Sequence, residues 1–150
     1  MLDRKQFLAL AGILSLTAAG GAAPAAAAAP PGLEDFCTLF YRRKQVRLAF
    51  ERHVATDYIQ HSSGMAQGRE ATITVLEPMF ARPQFTATPV GTVSQGALSI
   101  VMLDVHVGTG VRAAVMDIFR WENDLIREHW DLKQVLTAEQ AVTYFDQLRR

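Results

Sequence analysis

The sequence holds a single cysteine, Cys37. An internal disulfide is therefore excluded, and the domain must hold itself together by packing. Cys37 lies beside Phe36 and Phe40 on a helical pattern, the setting of a small buried core residue rather than of a nucleophile. An excess of charge is missing as well. Fifteen Lys and Arg residues balance fifteen Asp and Glu, so the balance carries neither a nucleic-acid footprint nor an acidic tail, and neutral or small partners are expected. The one basic cluster, Arg42-Arg43-Lys44, lacks the interleaved aromatics of a nucleic-acid groove and reads as the solvated face of a helix junction. No two histidines fall at the H-x-H or H-x-x-x-H spacing of short ligand motifs, and nothing calls for a metal or another cofactor.

Charge is also absent from the whole stretch between Gln6 and Leu33. Arg4 and Lys5 precede an apolar run from Phe7 to Ala19, and the alanines from Ala22 to Ala29, interrupted at Pro24, offer small-x-small cleavage sites. This is the layout of a signal peptide. The stretch "DRKQFLAL" resembles a twin-arginine signal with Lys5 in place of the second arginine, so a Tat-like and a Sec route both stay open. An uncleaved anchor is the alternative, since roughly 20 uncharged residues can span a bilayer. Ala, Gly and Pro weaken the second half of the run as an apolar helix, and no lipobox precedes Cys37. Residues 1–30 are thus expected to be removed, leaving 31–150 as an exported domain, periplasmic or secreted, without stable membrane association.

What is there is one globular domain: about half of the residues are apolar, enough for an ordinary core. Phe36, Leu39 and Phe40, then Val46, Phe50 and Val54, recur at helical spacing and predict two helices or one broken helix. Asp57 to Arg69, with Ser62-Ser63-Gly64 and Gly68, reads as a loop with Tyr58 and His61 at its entrance. A third helix starts near Arg69, carries Ile73, Leu76 and Phe80 on one side, bends or restarts at Pro78 and ends by Pro83. The period then changes to two. Strands are predicted over Phe85–Ser94, Leu98–Val107, Val111–Trp121 and Leu125–Val135, with "VGTGV" and "WENDL" as turns of an antiparallel meander. Thr137 and Gln140 form a capping box that opens a closing helix along Val142, Phe145 and Leu148. Helices followed by a run of strands define an α+β domain.

The last strand contains "REHWDL", in which His129 and Asp131 point to one face and Glu128 and Trp130 to the other. A three-residue loop with Asp124 in the left-handed position would set Trp121 against Leu125 and Asp117 against His129, gathering Asp117, His129 and Asp131 into one polar cluster. The opposite face, with Ala114, Met116, Ile118, Ile126, Trp130 and Leu132, is apolar enough to be covered by helices or a second subunit. A sheet covered on its apolar side suggests a concave polar side that forms a pocket. Asp104 and His106 alternate in the same way on the neighbouring strand, which adds His106 as a ligand contact. An Asp and a His on a partly dry wall perturb each other's proton affinity, as general acid-base chemistry requires; equally, the two could simply satisfy one another inside the fold.

Three features together, "AFERHVATDYIQHSSGMAQGRE", "VMDIFRWENDLIREHWDLKQ" and the helix-helix-helix-meander order, resemble the SnoaL-like polyketide cyclase branch of the nuclear transport factor 2 superfamily. The resemblance runs from about Leu33 to Val135. It implies a cone: a strongly curved antiparallel sheet wrapped around the N-terminal helices, with a deep pocket, usually dimerising through the sheet. It further implies cofactor-free acid-base chemistry on a small hydrophobic carbonyl or epoxide-like substrate, or, as the alternative, a small-ligand-binding or dimeric accessory domain. Carried over by motif, Asp131 is the general acid-base, His129 and Asp117 are its neighbours, and Tyr58 and His61 stand at the pocket rim. Arg120 and Glu128 are expected to form a cross-strand charge pair.

Overall fold

The computed structural model describes residues 28–108 and 110–148; apart from residues 28–30, the expected signal segment lies outside them. Helix α1, Leu33–Cys37, runs directly into a π-helical turn, Thr38–Arg42, in which the Arg43 amide donates to the Thr38 carbonyl at 2.9 Å. The wider turn carries the consecutive residues Phe40 and Tyr41 both to the interior, a placement an ordinary helical turn does not favour. Lys44, at φ 55°, breaks the chain from α2, Val46–His53, and its ammonium donates to the Phe85 carbonyl at 2.7 Å. Helix α2 buries Val46, Ala49 and Phe50. Helix α3, Arg69–Phe80, follows Gly68 at φ 86° and buries Thr72, Ile73, Leu76 and Phe80. Pro78 falls within its last turn, where one missing amide costs the helix little of its length.

The sequence pattern omits one element. Val54–Gln60 is a strand, β1, where the pattern predicts the end of a helix and the start of a loop. Its register against its partner breaks between Val54 and Ile59, so Val54 and Ala55 are both buried and Thr56 and Asp57 both exposed. That irregularity erases the period-two signal. The other strands, β2 (Phe85–Gln95), β3 (Leu98–Val107), β4 (Arg112–Glu122) and β5 (Leu125–Leu136), lie within two residues of the predicted bounds. The sheet order is β1-β5-β4-β3-β2. The meander β2 to β5 is antiparallel and β1 joins β5 in parallel, so the sheet is mixed rather than wholly antiparallel.

Two bulges bend it. The β2–β3 register shifts between Pro89 and Gly91, and the β4–β5 register between Arg120 and Trp121. Each inserts an extra residue on one strand, which coils the sheet locally. The β4–β5 turn is the two-residue Asn123-Asp124, both at positive φ (51° and 62°), the type I′ geometry of tight hairpins, not a three-residue loop. Turn and bulge together place Asp117 opposite Asp131 and Phe119 opposite His129, two residues from the expected register. A slip of two keeps every side chain on its face, so Asp117, His129 and Asp131 still share the concave side. Ile126 does not follow expectation. It pairs with Trp121 on the near side of the bulge and is fully buried in the core instead of lying with Trp130 and Leu132.

Helices α1 to α3 pack into the concave face, where Phe36, Phe50, Ile73, Val101, Phe119 and Ile126 belong to one continuous core. The closing helix α4, Ala138–Leu148, crosses the convex face. Thr137 and Gln140 cap it reciprocally at 3.0 and 3.2 Å, and Ala141 and Phe145 make a small second core with Leu136. Among the described residues no helix is long and apolar enough to cross a membrane.

Candidate active-site cavity

Between the π-helical turn, α3 and the concave sheet lies a cavity of about 390 Å³, within the roughly 300–1,000 Å³ typical of small-molecule sites. Its wall is mainly apolar, with Phe36, Phe40, Leu76, Phe80, Leu103 and Val115 contributing. Val107, Val111 and Val135 also reach it and are 45%, 46% and 71% exposed, which makes the approach apolar too.

Asp117 is held between two partners. The buried Tyr41 hydroxyl donates to its Oδ2 at 2.5 Å, and His129 Nε2 lies 3.3 Å from its Oδ1, in ion-pair range but outside hydrogen-bond geometry. Burial, then the Asp117 charge, pushes the Tyr41 phenol well above its ordinary range, so it stays a neutral donor. His129 stacks on Phe119, its register partner, with ring centroids 5.1 Å apart. Its carbonyl accepts from the His61 amide at 2.8 Å, which ties the end of β1 to this point of β5. The His129 Nδ1 meets Gln60 Oε1 at 2.9 Å, with Ser62 Oγ at 3.5 Å. Gln60 also donates through Nε2 to the Tyr58 hydroxyl at 3.0 Å. Tyr58 is raised in the same direction as Tyr41, by burial first and then by Asp117 and Asp131.

Asp131 faces Asp117 directly across β4–β5. Its side chain is 14% exposed, and Lys133 Nζ approaches its Oδ2 at 2.7 Å. Among the described residues no hydrogen bond reaches the other oxygen. The cavity therefore offers one carboxyl bonded at one oxygen with an imidazole close to the other, a second with an oxygen to spare, and two neutral phenols.

The structure brings together Asp117, His129, Asp131 and Tyr58 at this cavity. Tyr58 is buried, 4% exposed, and not at the rim. His61 and His106 do not reach it. On β1, the alternation that turns Tyr58 and Gln60 inward turns His61 outward, where it stacks on Trp130 at 4.4 Å and meets Glu128 Oε2 at 2.6 Å. His106 sits on the outer side of β3, half exposed, 3.4 Å from Asp104 Oδ1. Sequence reasoning missed Tyr41 and Gln60. Gln60 was within reach: once "DYIQH" is read as a strand, Tyr58 and Gln60 share a face. Tyr41 carried no such signal, because a π-helical turn has no period of its own to read. Cys37 is buried, with its thiol pushed up to about 12 by burial, and is inert as a nucleophile. Arg120 pairs with Glu128 in register, Nε to Oε1 at 2.8 Å. Among the described residues no three His, Cys, Asp or Glu side chains gather as metal ligands.

A family model described as a SnoaL-like domain matches residues 33–129, the span that supplies every polar group of the cavity floor named above up to His129. The chain belongs to the SnoaL-like domain family. No curated protein sequence matches it. Among solved structures, this SnoaL-like chain is similar to an NTF2-like protein of unknown function from Cytophaga hutchinsonii, with 14% identity, TM-score 0.57, and coverage of 68% of this chain and 86% of that one. It is similar to wild-type IdmH from Streptomyces antibioticus, a candidate polyketide cyclase, with 17% identity, TM-score 0.56, and coverage of 75% and 97%. A candidate ketosteroid isomerase from Kribbella flavida gives 12% identity, TM-score 0.55, and coverage of 67% and 76%. At these identities the likeness is one of fold, and the fold is NTF2-like.

Proposed function

We propose that this SnoaL-like protein is a cofactor-free acid-base enzyme that moves a proton on a small, largely apolar carbonyl compound. The observation that carries the reading is the pair of facing carboxylates on a mainly apolar cavity wall, Asp117 bonded by Tyr41 with His129 close to its other oxygen, and Asp131 with one oxygen uncommitted among the described residues. Asp131 takes the proton from the carbon beside the carbonyl. The electron pair of that C–H bond becomes the enolate double bond, and the carbonyl π pair moves to oxygen. Tyr58, kept neutral by burial, donates to that oxygen as its charge develops. Asp131 then returns the proton to the same or another carbon, or the enolate carbon attacks a second carbonyl, whose π pair moves to its own oxygen and takes the proton from Asp131 while the first carbonyl re-forms and the ring closes. Lys133 Nζ lies against Asp131 Oδ2 and fixes the direction of its other oxygen. An oriented acid-base group of this kind is worth roughly 100 to 10,000-fold in rate. Neighbours described as candidate cyclase and isomerase support this class of reaction.

The test needs no knowledge of the product. Apolar ketones that the purified protein retains are incubated with it in deuterated water and weighed by mass spectrometry. Deuterium gain beside the carbonyl is expected, reduced about 100 to 10,000-fold in Asp131→Asn with retention unchanged. Retention with no exchange in the unaltered protein, or equal exchange in the variant, would leave a binding protein and overturn the enzymatic reading.

The convex face supports a second part of the proposal: two copies pair through it. Val93, Ile100, Ile118 and Trp130 form one row across four strands, with Met102, Met116 and Leu132 in the next. Helix α4 covers only the Val90 and Ala114 end, and Val93 and Leu132 remain 57% and 62% exposed.

A further inference from the structure

The hydrogen-bond network around Gln60 can be solved for its protons. A backbone amide can only donate. The Ser62 amide meets one terminal atom of the Gln60 side chain at 3.0 Å, so that atom is the carbonyl oxygen and the other is the NH₂ group. His129 Nδ1 meets the same oxygen at 2.9 Å, and an oxygen acceptor fixes Nδ1 as protonated. The neutral imidazole then carries its lone pair on Nε2, the nitrogen that faces Asp117 Oδ1. At the other end of the amide, Gln60 Nε2 donates to the Tyr58 oxygen. The Tyr58 hydroxyl hydrogen is left over, and among the described residues nothing accepts it.

The Gln60 side chain is held for this task. Its own backbone amide donates to Gln67 Oε1 at 3.2 Å, and Gln67 Nε2 donates to its carbonyl at 2.5 Å. The loop residue Gln67 thus occupies the hydrogen-bonding edge of β1 at this point. Gln60 itself is 3% exposed.

We infer that Gln60 is the positioning residue of the cavity: its amide oxygen locks His129 as the Nδ1–H tautomer, and its amide nitrogen, by donating to the Tyr58 oxygen, leaves the Tyr58 hydroxyl hydrogen for a ligand carbonyl. The consequence for turnover rests on the proposed acid-base reading, since a site set in this way presents an oriented imidazole beside Asp117 on one side and an unspent phenolic donor on the other. The tautomer is a property of the resting protein. It can be measured whether or not the protein turns anything over.

The experiment is nitrogen NMR of protein labelled with ¹⁵N-histidine, followed through a pH titration that brings the ring to its neutral form. The His129 signals are assigned by their loss in His129→Asn. In the unaltered protein the neutral ring is expected with its proton on Nδ1. In Gln60→Leu the acceptor is gone and the proton is expected to move predominantly to Nε2, against Asp117. Gln60→Glu keeps an acceptor at Nδ1 and is expected to retain the original tautomer. A filled buried position alone would not produce this difference between the two variants. A neutral His129 protonated at Nε2 in the unaltered protein overturns the inference, as does a Gln60→Leu protein that folds and keeps Nδ1–H. If Gln60→Leu does not fold, the unaltered protein and Gln60→Glu decide: Nδ1–H in both supports the lock, and Nε2–H in either overturns it. A null result in the deuterium experiment would leave this one standing.

Discussion

Glu128 stands between two partners, Arg120 and His61, on the outer face of β5. Arg120 bonds it from the facing strand and His61 reaches it at 2.6 Å from β1. Those bonds, Arg120 first and His61 second, hold its carboxyl below the ordinary range. A carboxyl depressed in the folded state contributes stability that is complete above its unfolded value, near 4.3, and is lost as pH falls through the lower folded value. Thermal melting of the protein should therefore decline through that acid window, and Glu128→Gln should flatten the decline by melting lower near neutrality and converging with the unaltered protein in acid; an unchanged profile in the variant would show that the pair contributes nothing. The same scale shows what the sequence could reveal of the site. Alternation alone was enough to put Asp117, His129 and Asp131 on one wall, because a register error of two residues preserves parity. It was not enough for Gln60 or Tyr41, whose roles depend on β1 and on a π-helical turn.

At the scale of elements, the hairpin between β4 and β5 sets the register of the cavity wall. Its turn residues, Asn123 and Asp124, both occupy the left-handed region, which asparagine tolerates better than most residues and glycine tolerates freely. Asp124→Gly should relieve strain of about 1 kcal/mol, less the greater freedom of glycine in the unfolded chain, and denaturant unfolding should show a net gain in midpoint with no change in slope. A loss of stability would mean that the aspartate side chain holds the turn in another way. This hairpin also explains why the strands were legible to within two residues while one face assignment failed. Hydrophobic alternation reports each strand separately. The bulge beside Arg120 exchanges the side to which Ile126 points, and nothing in the spacing of "WENDLIRE" announces it. The parallel strand β1 stayed hidden for a related reason: its pairing irregularity buries two neighbours together and exposes the next two.

At the scale of the whole molecule, the convex face is apolar over rows that α4 leaves uncovered. Leu132, at 62% exposure, is the side chain whose replacement tests pairing most directly, because a charge there cannot be buried without a partner. Sedimentation of the unaltered protein should report a dimer and Leu132→Glu a monomer of unchanged secondary structure; a monomer in both would remove the pairing proposal and leave the cavity untouched. Chain order adds a last point. Tyr41 and Asp117 are separated by 76 positions, and Gln60 and His129 by 69, whereas the meander joins neighbours through short turns. Closing the larger gaps is the slower step in entropy terms. As the polypeptide leaves the ribosome, hairpins can form one after another, but the hollow has no floor until β5 emerges and captures β1, so competence for ligand arrives late and all at once.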